Sequence, residues 1–328
     1  MPLTRRQLVL AKVEAAYATD PTHAVTDAQL VHDFSLTFNG ENYARAVLSP
    51  TLSPIRASVL GKRSVTITFW QEIRGNAGEY DATTVPEYDV FLRACGMSAV
   101  YAGGGPTWTY APRSSGYESC AIEAEIDGVV VQALGCRGNA VLNFVPGERG
   151  RIEYTFQGLY TLPADRAMST PNYTTDIAPP IVAATGYQPW AENPAAGVFG
   201  HVRSLVVDFR NQVVARESLT VGAEGIAGFE IVGRGTVDDP GMSATLEVEQ
   251  KAHANGDDFF TRYNARTTAG SASVQVGSAA HNQHTFTLAG MFIEEVQFGD
   301  LDGRVGNVLD CRLVGTGSGD NEITLVTT

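Results

Sequence analysis

Residues 127–144, DGVVVQALGCRGNAVLNF, set Cys136 between Gly135 and Gly138, a setting in which a thiol nucleophile or a phosphate cradle is worth testing. A reactive thiol needs a cation or a base beside it to favour the thiolate, and neither His nor Lys lies close in sequence. Such a group could still come from elsewhere in the fold. Cys136 is in phase with Ala140, Leu142 and Phe144, which marks it as a packing residue on the apolar face of a strand. A bond to Cys120 depends on register. A two-residue turn at Asp127-Gly128 sets Cys120 opposite Gly135, whereas a three-residue bulged turn sets the two cysteines opposite each other.

Other motifs carry less chemistry. His281 and His284 in HNQH suggest a metal, but on a strand their spacing sends the rings to opposite faces, and no further ligands lie nearby. Asp300, Asp302 and Gly303 in GDLDGRVGN look partly like a calcium loop without its distal glutamate, so a polar turn is expected. Three glycines in YAGGGPTWTY lack the following helix and Lys of a phosphate loop, and RSSGYES is not a nucleophile elbow. Glu123 with Glu125, and Glu247 with Glu249, could act as acid and base only across a cleft; as neighbours on one strand face they read as a solvated surface. No catalytic residue, metal or cofactor is expected.

The elements that carry these residues are mainly strands. Val65, Ile67 and Phe69 share one face of SVTITFW; Ile152, Tyr154 and Phe156 do so in RIEYTF; Ile122 and Ala124 oppose Glu123 and Glu125. Helix is predicted at TVPEYDVFLRAC, with Pro86 near its start and Gly96 past its end, and at GDDFFTRYN. RRQLVLAKVEAAY also has helical periodicity, although ATDPT follows at once. A stretch rich in Pro, Ala, Gly and Thr separates two segments that resemble each other, giving units at 1–165 and 200–328 with a linker over 166–199. FSLTFNGENYARAVL matches LVVDFRNQVVARESL, with Phe38/Phe209, Ala44/Ala215, Arg45/Arg216 and Leu48/Leu219 identical. GKRSVTITF then parallels GRG and SATLEV, YDVFLRA parallels DDFFTRY, and EYTFQGLY parallels TFTLAGMF.

The 328 residues carry a net charge of −13, with Lys at three positions only, Lys12, Lys62 and Lys251. Such a surface repels DNA rather than binding it tightly. Four widely spaced cysteines fit a reducing compartment. No apolar stretch is long enough for a membrane helix, and the N-terminal apolar run is cut by Lys12 and Glu14, so neither membrane insertion nor secretion is expected.

AKVEAAYATDPT, FLRACG, APRSSGYESCAIEAEIDGVVVQALGCRGNAVLNF and IEYTFQGLY resemble the tail tube proteins of tailed bacteriophages, in the long type with a duplicated tube domain. The similarity covers most of residues 8–162 and, more loosely, 200–328. It departs from the family pattern at AAYATDP, where Thr-Tyr-Gly is more usual, and at Cys136, where a small residue is expected. The resemblance implies two tandem β-sandwich or barrel domains, each with a short flanking helix. It also implies strands that join those of neighbouring chains into a tube, and rings of three chains with pseudo-sixfold symmetry, or alternatively of six. The implied partners are further copies of the chain, a tape measure protein, and tail tip and terminator proteins, with DNA only in passage, in the virion. Glu123, Glu125, Glu247 and Glu249 are then candidates to face the channel. Residues 46–63, with Leu48, Pro50, Pro54, Arg56, Lys62 and Arg63, are a candidate loop for stacking on the next ring. A low-copy tail completion or baseplate tube protein shares these expectations. A secreted carbohydrate-binding or carbohydrate-active β-sandwich would instead show clustered exposed aromatics and a leader, and an enzyme built on Cys136 would need an activating partner.

Overall fold

Alternation of apolar and polar residues over most of the chain produces strands, and a computed structural model shows how they join. It describes residues 6–48, 50, 52, 55–171, 173, 177–182, 202–220, 225–249, 259–266, 270–317 and 319–328. The first half contributes β1 (Gln7–Val13), β2 (Ala28–Gln29), β3 (His32–Ala46), β4 (Ile55–Glu72), α1 (Asp89–Ala94), β5 (Met97–Ala102), β6 (Thr107–Pro112), β7 (Cys120–Ile126), β8 (Val129–Phe144), β9 (Arg151–Tyr160) and β10 (Ala164–Asp165). The second contributes β11 (Val202–Asp208), β12 (Asn211–Glu217), β13 (Ile226–Arg234), β14 (Ser243–Glu249), α2 (Phe259–Ala265), β15 (Gly270–Ala279), β16 (Asn282–Leu301), β17 (Arg304–Leu313) and β18 (Ile323–Thr327). The protein is mainly β, and its ladders are antiparallel.

Eight strands form one hydrogen-bonded row in the order β3-β4-β9-β8-β11-β14-β17-β16. Each half supplies four strands, and the halves meet where β8 pairs with β11, Phe144 opposite Leu205 and Val141 opposite Asp208. Both halves therefore lie in one sheet. In this row EYTFQGLY lies on β9, the third strand, and TFTLAGMF on β16, the eighth.

One face of the row is dry. Phe69 of β4 and Tyr154 and Phe156 of β9 surround Phe91 of α1, with ring centroids 4.8 to 5.7 Å apart. Phe144 of β8 meets Phe286 of β16 edge to face at 4.9 Å. Such pairs add about 0.5–1.5 kcal/mol each beyond the burial of their area. The helix forms at the expected place but is shorter, six residues, and stops where Gly96 takes a φ of +79°. The second helix also forms; residues 256–258 of its expected start lie outside the described residues.

Residues 7–13 form a strand rather than a helix. β1 lies between β2 and β7, and Leu8, Val9, Leu10 and Ala11 are all buried, so the run is apolar because both faces of the strand are covered. The turn at Asp127-Gly128 has two residues, Ile126 pairing with Val129. A bulge further along then brings Cys120 opposite Cys136, with Gly135 at a φ of +61°. Both are free thiols, and burial pushes each well up from its ordinary pKa. Part of the expected linker packs closely: just after β10, which pairs with β8, Met168 and Tyr173 cover Leu8 and Leu10, and Val182 enters the core.

His284 of β16 is buried, its Nδ1 2.8 Å from the Tyr88 hydroxyl and 3.2 Å from Thr327 Oγ1 of β18, a network that ties the first half to the second. Burial pushes its pKa down to about 3. The folded ring stays neutral while the unfolded one takes a proton near its ordinary value of about 6.5. Its contribution to stability is therefore complete above that value and is lost as pH falls toward 3. Urea unfolding across this range should show the advantage of the wild type over His284→Gln shrinking by up to about 1.4 kcal/mol per pH unit.

Candidate functional site

The opposite face of the row is wet. Ser64, Thr66 and Thr68 of β4 lie beside Thr155 and Gln157 of β9; Asn139 and Asn143 of β8 lead across to Ser204 and Asp208 of β11, and these to Ser243, Thr245 and Glu247 of β14. The alternation that buries Ile152, Tyr154 and Phe156 turns Arg151, Glu153 and Thr155 outward, and β14, β17 and the far part of β8 follow the same rule. Acids on this face have arginine partners: Arg151 is 3.3 Å from Glu153, and Arg304 and Arg203 are 3.4 and 3.7 Å from Glu249. It is a broad hydroxyl- and amide-rich surface with paired charges.

The four glutamates are not brought together. Glu247 and Glu249 are half-buried on the wet face of β14. Glu123 and Glu125, expected on an open face, are buried. The segment after β10 crosses above them, and Arg166 bonds both carboxylates, reaching Glu125 at 2.6 Å. The Ser169 amide and hydroxyl donate to Glu125 at 2.6 and 2.7 Å. Burial alone would raise the Glu125 pKa, but these donors together hold it below its ordinary value. The strand alternates as expected; what covers its polar face comes from 40 residues further on.

Residues 46–63, expected as a loop, are largely strand. β3 and β4 run on past the sheet as a two-stranded arm, with Asn42 opposite Leu60 and Arg45 opposite Arg56. Arg56, Lys62 and Arg63 therefore lie on β4, Leu48 and Pro50 lie at the exposed tip, and Pro54 lies outside the described residues. Among the described residues no third strand joins the arm beyond Ser64, and Phe38, Tyr43, Ile55, Val59 and Leu60 are exposed. Its root is held by Phe38 against Tyr160, by Arg63 over the same ring at 5.3 Å, and by Lys62 Nζ on Glu217 at 2.5 Å.

The second half has a matching hairpin, β12–β13, that is folded down. Val213 pairs with Ile231 as Asn42 does with Leu60, and each ribbon carries a bulge at the same place. Here the apolar residues are covered: Ile226, Phe229 and Ile231 are buried. Tyr17 clasps the hairpin, its hydroxyl accepting from the Phe229 amide at 2.6 Å and donating to the Gly135 carbonyl at 3.1 Å. Arg137 lies over the Tyr17 ring at 4.9 Å and donates to the Phe229 carbonyl at 2.9 Å. A Cβ on Gly228 would approach the Tyr17 ring to 2.5 Å, so glycine is needed there. Sequence reasoning missed Tyr17, although its place in the departing AAYATDP segment was a signal.

Among the described residues no three His, Cys, Asp or Glu side chains converge as metal ligands. His284 is occupied in the core, and burial pushes Cys311 up to about 12. No protein-family profile matches the chain, and no curated protein is significantly similar to it.

Removing Arg166 leaves two buried carboxylates without their cation. Arg166→Met should lower stability by about 2 kcal/mol, less than a fully buried pair would lose because Arg166 is half exposed. Limited proteolysis should then cut within residues 161–173 faster than in the wild type.

Proposed function

We propose that the protein is a structural subunit of a bacteriophage tail tube, with tandem tube domains at 1–165 and 200–328, and that copies of it close into rings that stack into a channel for DNA. The observation that carries this reading is a four-strand repeat with two unpaired ends. In register, β3 corresponds to β11 and the far end of β16 to that of β8, so the β8–β11 junction has an unmade counterpart. Among the described residues β3 pairs only with β4, and β16 beyond Met291 pairs only with β17. By that correspondence Gln297–Asp300 of one chain would face Phe34–Thr37 of the next, with Phe298 taking the place of Leu142 opposite Leu36. Leu142 is 1% exposed and Phe298 69%, the difference expected of an uncovered joint.

Head-to-tail joining of this kind closes into a ring when the rotation allows, and three chains would give six four-strand units. The wet face would line the channel, with hydroxyls, amides and a net acidic charge that keeps DNA from adhering. Glu247 and Glu249 remain candidates there, and the tip of the arm at Leu48 and Pro50 for contact with the next ring. A tape measure protein inside the tube and terminator and tip proteins at its ends are the expected partners.

Negative-stain microscopy of concentrated protein should show rings or tubes with a central hole; an enzyme or a carbohydrate-binding module would show neither. Phe298→Asp should abolish them while circular dichroism stays as in the wild type and melting falls only slightly, since the largely exposed ring meets Phe260 of α2 at 5.2 Å and is not part of the core. Rings formed unchanged by Phe298→Asp would exclude the joint.

A further inference from the structure

The two hairpins pose a question that the sheet edges do not. One is seated, and among the described residues its equal stands free. β12–β13 lies across β8 and β9 of the first half, beside the root of the arm, where Gly225 is close enough that an added Cβ would lie 3.6 Å from Lys62 Cγ. The arm has the same register and the same bulge, but the surface equivalent to that seat belongs to the second half, at β16, β17 and the root of β13. Within one chain the arm projects away from it.

Charge supports the same pairing. Residues 38–63 carry four basic side chains, Arg45, Arg56, Lys62 and Arg63, against Glu41 alone, within a chain of net charge −13. Arg45 and Arg56 are direct cross-strand partners on an exposed ribbon, an arrangement that repels until an anionic surface covers it. Residues 200–328 carry 17 Asp and Glu against nine Lys and Arg. Glu294, Asp310 and Asp239 line a cleft there with Arg210, Arg312 and Ser243, on the wet face of β14 and β17; the two arginines pair with Asp239 and Arg312 also with Glu294, which leaves one acid in excess. Val232 on β13 is exposed, as is Val59 on the arm.

The geometry points to a second copy of this chain as the occupant of the arm: the β3–β4 arm of one copy lies on the second half of the next, as β12–β13 lies on the first half of its own chain. This shares with the tube reading the premise of head-to-tail association, but assigns the shaft of the arm to the neighbour in the same ring and leaves only its tip for the next ring. The seated hairpin sets the contact to test. Ile226, next to Gly225, lines one cleft with Lys62 at the root of the arm; Ile226 corresponds to Ile55 and Lys62 to Gly233, so Ile55 of one copy should meet Gly233 of the other.

Two single variants test this, Ile55→Cys and Gly233→Cys. Ile55 is 78% exposed, and a Cβ on Gly233 meets nothing within 4 Å, so both should fold. The native cysteines are buried and should stay silent. The variants are mixed at the concentration used for microscopy and treated with a short bismaleimide. A cross-linked dimer from the mixture, absent from either variant alone, is expected. It should be lost when Arg45→Glu and Arg56→Glu are added to the arm, with melting unchanged. No cross-link in the mixture, or one from Ile55→Cys alone, overturns the assignment. Rings seen in that uncross-linked sample would leave the tube reading standing, and their absence would count against both.

Discussion

Everything in the fold depends on β8 having partners along both of its edges. On one edge it holds β9 and then β10; on the other it holds β7 for its first half and β11 for its last four residues. The bulge at Gly135 and Cys136 turns the strand between those two partners, and the clasp of Tyr17 and Arg137 fills the gap left between them. Without that turn β7 and β11 would compete for one line of hydrogen-bonding groups. With it, the second half of the chain is an extension of the sheet built by the first, and the dry faces of both halves enter one core.

A sheet that is dry on one side and wet on the other has a cost at its ends. Among the described residues the last strands offer unpaired amides and carbonyls together with apolar side chains that are only partly covered. Proteins that stay monomeric blunt such ends with charges or proline on short strands. Here β3 and β16 are among the longest strands of the chain, and the apolar Phe34, Leu36 and Phe298 lie on their free margins. The buried β8–β11 junction shows how the same strand types look when covered. The difference between Leu142 and Phe298 is one of neighbours, since both lie on the dry face of a strand with the same relations in the row.

Much of this was legible in the sequence because period-two alternation reports directly which strand faces are dry. SVTITFW and RIEYTF have the faces assigned to them, both helices form, and Asp127-Gly128 makes the expected turn. What was not legible is what lies on top of a polar face. Glu123 and Glu125 alternate correctly, yet Arg166 and Ser169 cover them, a relation over about 40 residues that periodicity does not carry. Gln7–Val13 read with a helical period because both faces of the strand are buried and its apolar run does not alternate. The arm was hidden for the opposite reason: in residues 46–63 Ile55, Val59 and Leu60 follow no solvent-to-core alternation, since neither face has a core beneath it.

The halves differ most where one hairpin bends and the other does not, and the cause is local. Between β11 and β12 the chain turns at Arg210, a non-glycine residue with a φ of 52°, and Asp208 caps the turn by accepting from its amide at 2.8 Å. The return between β13 and β14 passes through Gly235, with a φ of 71° and no room for a Cβ, which would lie 2.3 Å from the Asp239 carbonyl. Arg210 and Arg312 both bind Asp239, so the corner is tied on each side. β3 and β4 lack an insertion that falls within residues 235–242, and their only irregularities are bulges, which twist a ribbon without folding it over. The inserted corner thus decides which hairpin closes on its own chain. Its absence from the first half keeps the arm extended, with the apolar Tyr43, Ile55, Val59 and Leu60 and the basic Arg45 and Arg56 exposed.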